Sequence, residues 1–129
     1  MKYVIVVILF LLIGCTSLKN NSDCDRFRLG TFYNKSEIDN AIDTKITRTE
    51  EYQIEEYYQT GAVCKFKVKW IDQCSYKLIF DSGNTACNKT GEIKDVIVRI
   101  IETKVDSYIV EGWVEGSSLK IKSEIVKNK

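Results

Sequence analysis

Val63-Cys-Lys-Phe-Lys-Val-Lys-Trp70 followed by Ile71-Asp-Gln-Cys-Ser-Tyr-Lys-Leu-Ile-Phe80 decides the fold. Cys64, Phe66, Val68 and Trp70 alternate with Lys65, Lys67 and Lys69. A period of two places the apolar side chains on one face of a strand and the cations on the other. After Asp72-Gln73 the pattern resumes with Cys74, Tyr76, Leu78 and Phe80. This predicts an antiparallel hairpin with one buried side. A turn centred near Gln73 sets Cys64 opposite about Ser82 by strand counting.

Strand signals continue on both sides. Arg26–Tyr33 reads as a first strand with Phe27, Leu29, Thr31 and Tyr33 on one face and Gly30 as a bulge or close approach. Asn34–Thr44 is open between a loop and a short helix, with Ile38, Ala41 and Ile42 at helical spacing and Ser36 placed to cap it. Ile46–Tyr58 is rich in Thr, Tyr and Ile, and a turn near Glu50-Glu51 makes it a hairpin. That register sets Arg48 opposite Gln53, with Ile46 and Glu55 on one face. Thr60-Gly61 reads as a turn, and Asp81–Glu92 as a turn-rich loop. Asp95–Thr103 carries Val96, Val98 and Ile100 on one face and Ile97 and Ile101 on the other, so both faces are expected to be covered. Ser107–Val114 and Ser118–Val126 form a further hairpin across Glu115–Ser117. The expectation is an all-β chain: one antiparallel meander of about eight strands, closed or half closed into a small lipocalin-like barrel, with room for one short helix. A two-sheet sandwich is the alternative.

The cysteines set the compartment. Met1–Cys15 (MKYVIVVILFLLIGC) opens with Lys2 and an uncharged apolar run over Tyr3–Ile13. The run falls short of the about 20 residues a membrane span needs and has the length of a secretory core. Leu12-Ile13-Gly14-Cys15 resembles the lipobox of bacterial lipoproteins. The resemblance implies cleavage before Cys15, acylation of its thiol and amino group, and a stable bilayer anchor. Residues 1–14 are then the cleaved signal, 15–23 a flexible tether and 24–127 the β-rich domain. Thr16 in place of Asp after the cysteine implies the outer membrane. Four cysteines remain: Cys24, Cys64, Cys74 and Cys87. An even number in an exported domain predicts two disulfides. Strand counting brings Cys64 toward Cys87 and holds Cys74 at the far end of the hairpin, so the expected bridges are Cys64–Cys87 and Cys24–Cys74.

Of 129 residues, removal of the first 14 leaves 115, and Lys2 goes with them, so 19 basic residues become 18 against 18 acidic. A neutral chain gives no basic excess for nucleic acid. There is no histidine. That excludes Ser-His-Asp and Cys-His nucleophile systems and the commonest zinc ligand. The seven glycines show no phosphate-cradling spacing. No cofactor, metal site or catalytic residue is expected; a two-carboxylate hydrolase, with Glu55 and another acid about 5–9.5 Å apart, is the enzymatic alternative. Lys65, Lys67 and Lys69 either meet anionic lipid or keep the sheet soluble and its edge unpaired. Arg48, Gln53 and Glu55, beside Trp70 and Tyr76, are the candidate ligand-binding residues on the concave face of a barrel. The same three residues also fit a cross-strand polar ladder.

Cys-Asp-Arg-Phe-Arg-x-Gly-x-Phe at Cys24–Phe32, Trp-x-x-x-Cys-x-Tyr at Trp70–Tyr76 and Thr-Arg-x-x-x-x-Gln-x-Glu at Thr47–Glu55 resemble a group of small β-rich exported proteins and lipoproteins of the Bacteroidetes. The resemblance runs from about Cys24 to Lys122 and supports pairing Cys24 with Cys74. It implies no activity. The resulting expectation is a noncatalytic envelope lipoprotein, a binding or accessory module whose cup holds a small apolar or amphipathic ligand. A structural or interaction module with a filled core and an envelope-protein partner is the competing expectation.

Overall fold

A computed structural model describes residues 21–35, 41–89 and 91–128. Eight strands run in chain order: β1 (Gly30–Lys35), β2 (Ile42–Arg48), β3 (Tyr52–Tyr57), β4 (Val63–Trp70), β5 (Ser75–Gly83), β6 (Val96–Thr103), β7 (Ser107–Val114) and β8 (Ile121–Lys127). Each pairs antiparallel with the next, and β1 pairs with β8 through Phe32↔Lys127, Tyr33↔Val126 and Asn34↔Ile125. The sheet is thereby a closed barrel. A 3₁₀ helix at Asn21–Phe27 precedes β1, and one helical turn, α1 (Thr85–Asn88), follows β5.

The β4–β5 hairpin shows how local pattern becomes wall. Cys64 and Phe66 are buried, Lys67 and Lys69 exposed. The outward lysines find surface partners: Lys65 lies 4.0 Å from the Tyr52 ring centroid and Lys67 reaches Asp81 at 4.0 Å. Trp70 pairs with Tyr76 across the turn, where the Cys74 amide donates to Asp72 Oδ1 at 2.9 Å. Cys64 sits opposite Gly83 rather than Ser82. A bulge between Lys65 and Phe66 places an extra residue, Asp81, in β5 and moves the register by one. Cys64 still reaches Cys87, with Cα atoms 5.7 Å apart, because Asn84 caps α1 and turns the helix back over the hairpin. Asn84 Oδ1 accepts from the amides of Cys87 and Val63, both at 3.0 Å. Cys24–Cys74 is the second bridge, with Cα atoms 5.4 Å apart, and it ties the 3₁₀ helix to the β4–β5 turn.

The start of the chain differs from the alternation expected of it. Asn21–Phe27 is helical, and the strand begins only at Gly30, whose φ of 130° reorients the chain. That break resets the phase. Phe32 points inward and is fully buried, while Leu29 is exposed. Phe27 is buried from the helix instead, under the barrel. Its ring lies 4.8 Å from that of Tyr108, and Phe32 meets Tyr108 edge-on at 5.5 Å. Backbone carbonyls close this end further: Arg26 Nη2 donates to Lys104 O, and Lys127 Nζ donates to Arg26 O, each at 3.0 Å.

Three other expectations shift. Ile42 belongs to β2, not to a short helix; the capping position Ser36 lies outside the described residues. Most of the Asp81–Glu92 loop is structured, as the end of β5 and α1. Ile101 is exposed and Ile97 only half-buried, so among the described residues the outer face of β6 is not packed as its inner face is. Residues 1–20, Cys15 among them, also lie outside the described residues. The described residues close their own ladder and contain both disulfides.

Candidate functional site

The inward side chains do not fill the barrel. A cavity of about 560 Å³ runs from Arg48 at the end closed by the 3₁₀ helix toward Asn34, Thr60, Ile93 and Ser123 at the other. Its walls are mostly apolar, formed by Ile46, Phe66, Leu78, Val98, Val110 and Ile125. Polar groups gather on one side. β2 brings in Arg48, and its hairpin partner β3 brings in Gln53, Glu55 and Tyr57 at every second position.

Arg48 is 2 % exposed and is held by four hydrogen bonds. Its Nε donates to Gln53 Oε1 at 2.7 Å, and Nη1 to the Phe27 carbonyl at 2.8 Å. Nη2 donates to the Tyr76 hydroxyl at 2.8 Å and to the Tyr108 hydroxyl at 3.1 Å. The guanidinium also faces the Tyr76 ring at 4.6 Å and the Phe32 ring at 5.1 Å. Gln53 relays the chain onward, its Nε2 donating to Glu55 Oε1 at 2.6 Å, and the Tyr57 hydroxyl donates to Glu55 Oε2. The glutamine thus stands between a buried cation and the carboxylate, where a direct ion pair would have been the simpler solution.

Burial opposes the Arg48 charge, but the Tyr76, Tyr108 and Glu55 oxygens outweigh it and hold the guanidinium above its ordinary pKa. Burial pushes the Tyr76 and Tyr108 phenols up despite the opposing pull of Arg48. It raises Tyr57 too, with Glu55 adding to the rise. All three remain neutral hydrogen-bond donors at neutral pH.

Arg48, Gln53, Glu55 and Tyr76, singled out from the sequence, line one cavity. Trp70 does not. It is half-buried at the closed end, its ring 4.8 Å from that of Tyr76 and 4.1 Å from the Arg28 guanidinium. Position 70 ends β4 below the cavity floor, so inward alternation there leads to the plug rather than the lumen. Trp70 Nε1 is buried without an acceptor among the described residues. Tyr57 and Tyr108 were missed. Each was legible as an inward position, Tyr57 two residues beyond Glu55 and Tyr108 two before Val110, but neither belongs to a motif. Among the described residues Glu55 is the one carboxylate lining the cavity, so the two-acid arrangement is not assembled in it. Comparisons with protein-family models, curated proteins and solved structures return no match for the chain.

Proposed function

We propose that the chain is a noncatalytic lipoprotein of the cell envelope whose barrel binds a small amphipathic molecule. The observation that carries the reading is the cavity itself: an apolar lumen of about 560 Å³ with one buried polar cluster at its closed end. Eight-stranded barrels are wide enough to hold one small ligand, and pockets of this size with few convergent polar groups are the usual form of such sites. Two disulfides within one small fold suit an oxidising, exported compartment. The lipobox at Leu12–Cys15 supports anchoring at the outer membrane.

Native mass spectrometry tests the binding. The chain from Thr16 onward, secreted into an oxidising compartment, is sprayed with and without extraction by organic solvent. A stoichiometric adduct that extraction removes is expected. An empty barrel that also fails to take up a neutral apolar dye would favour the interaction module instead. Labelling of the full chain with a radioactive fatty acid, lost on Cys15→Ala, tests the anchor.

A further inference from the structure

We infer that the closed end of the cavity receives a carboxylate, and that the ligand is a medium-chain carboxylic acid lying head-down with its tail toward the mouth. The inference rests on the reading of the barrel as a ligand cup.

Three observations converge on the head group. Arg48 is buried and charged, yet its four bonds go to an amide oxygen, a backbone carbonyl and two hydroxyls. No carboxylate touches it among the described residues, and Glu55 is reached only through Gln53. A guanidinium carries five N–H groups, and the second hydrogen on Nη1 has no acceptor among the described residues. Next, Tyr76 and Tyr108 both accept from the same Nη2, so their own O–H hydrogens must point elsewhere. Neither hydroxyl donates to any described residue. Both side chains are buried, at 2 % and 0 % exposure, and both line the cavity. Two O–H donors polarised by one cation therefore stand at the end of an apolar tube. A carboxylate, with two oxygens and several lone pairs, answers both.

The carboxylate of Glu55 does not serve these two hydroxyls. Glu55 has both oxygens occupied, one by Gln53 and one by Tyr57, on the far side of the glutamine from Arg48. An ammonium ligand would have to compete with those donors for Glu55. An acid finds donors that have no other acceptor. The apolar walls of Ile46, Phe66, Leu78, Val98, Val110 and Ile125 then cover the tail.

The test separates the head group from the cup. N-phenyl-1-naphthylamine, a neutral apolar fluorophore, is bound to the chain from Thr16 onward and displaced with decanoate, decan-1-ol or decylamine at neutral pH. Decanoate is expected to displace it at a concentration about tenfold lower than either analogue, as two charge-assisted hydrogen bonds allow. Tyr76→Phe and Tyr108→Phe, checked for folding by near-ultraviolet dichroism, should each narrow that preference, weakening decanoate more than decanol because each removes one of the two O–H donors. Glu55→Gln, which removes the lumen's anion, should tighten decanoate alone. If the dye binds and the three ligands compete equally, or decylamine wins, the head-group inference is wrong and the cup stands. If neither dye nor any ligand binds the folded wild-type chain, both fall. The wild-type comparison decides the matter even if a tyrosine variant does not fold.

Discussion

Replacing Arg48 with methionine removes the group on which the closed end converges. Methionine fills much of the same volume but donates nothing, so Gln53 Oε1, the Phe27 carbonyl and the Tyr76 and Tyr108 hydroxyls lose donors at 2.7 to 3.1 Å. Each buried acceptor left unsatisfied costs about 1–3 kcal/mol. The four costs do not add, because both hydroxyls rotate and can donate to the vacated carbonyl or amide. Removing a desolvated cation also recovers some free energy, while Glu55 loses the charge that opposes its own. The expected net loss is about 3–5 kcal/mol, the range for breaking a buried charge network from one side. Urea unfolding, followed by the fluorescence of Trp70 and Trp113 with disulfides intact, reads this directly. At a slope of about 1–1.5 kcal/mol per molar, the midpoint falls by roughly 2–5 M. Arg48→Lys keeps the charge but not the planar fork and should fall between the two. Adding Glu55→Gln to the methionine variant should cost less than in the wild type, by about 1 kcal/mol or more, because the carboxylate no longer has a cation to balance. A midpoint shift for Arg48→Met below about 0.5 M would refute the argument that the guanidinium fastens the closed end. Full additivity in the double variant would refute coupling through Gln53.

Removing Cys24–Cys74 by paired serine substitution frees a loop of separation 50 and should cost about 4 kcal/mol on the chain-entropy account; removing Cys64–Cys87, separation 23, should cost about 3 kcal/mol. Thermal unfolding of the two double variants checks the order, and a reversed order would show that native-state contacts outweigh loop length. Gly83→Ala should destabilise by about 1–3 kcal/mol, because the added methyl would lie 2.7 Å from both Cβ and Sγ of Cys87. Gly112→Ala, whose nearest neighbour would be 3.9 Å away, is the tolerated control, and equal melting temperatures for the two would contradict the crowding. Tyr57, Tyr76 and Tyr108 have folded pKa values above the ordinary 10.0, mainly through burial. Their contribution is therefore complete below pH 10 and is lost as pH rises toward the folded values, at about 1.4 kcal/mol per group per pH unit. Urea midpoints taken at stepped alkaline pH should fall steeply past pH 10, and a flat profile would mean these phenols ionise freely in the folded chain.

The period of two in Val63–Phe80 determined by itself which side chains point inward and which outward, because alternate Cβ atoms on a strand point to opposite sides. Once the Gln73-centred turn fixed the register, the pairing of Cys64 with Cys87 followed within one residue, the difference being a bulge that strand counting cannot see. The turn near Glu50-Glu51 likewise made Arg48 and Gln53 cross-strand partners from sequence alone. Gly30 was visible as a point of change, but not that the change was a phase reset exchanging Leu29 for Phe32 on the inner face. That exchange depends on the 3₁₀ helix docking under the barrel, a contact with no local pattern behind it. The same holds for the site. Tyr108 reaches Arg48 from 60 positions away, and the Phe27 carbonyl from 21. Alternation says that a residue points inward, not which residue it meets across the lumen. That is set by the closure of β1 on β8 and the stagger of the strands around the barrel, properties of the whole ring rather than of any segment.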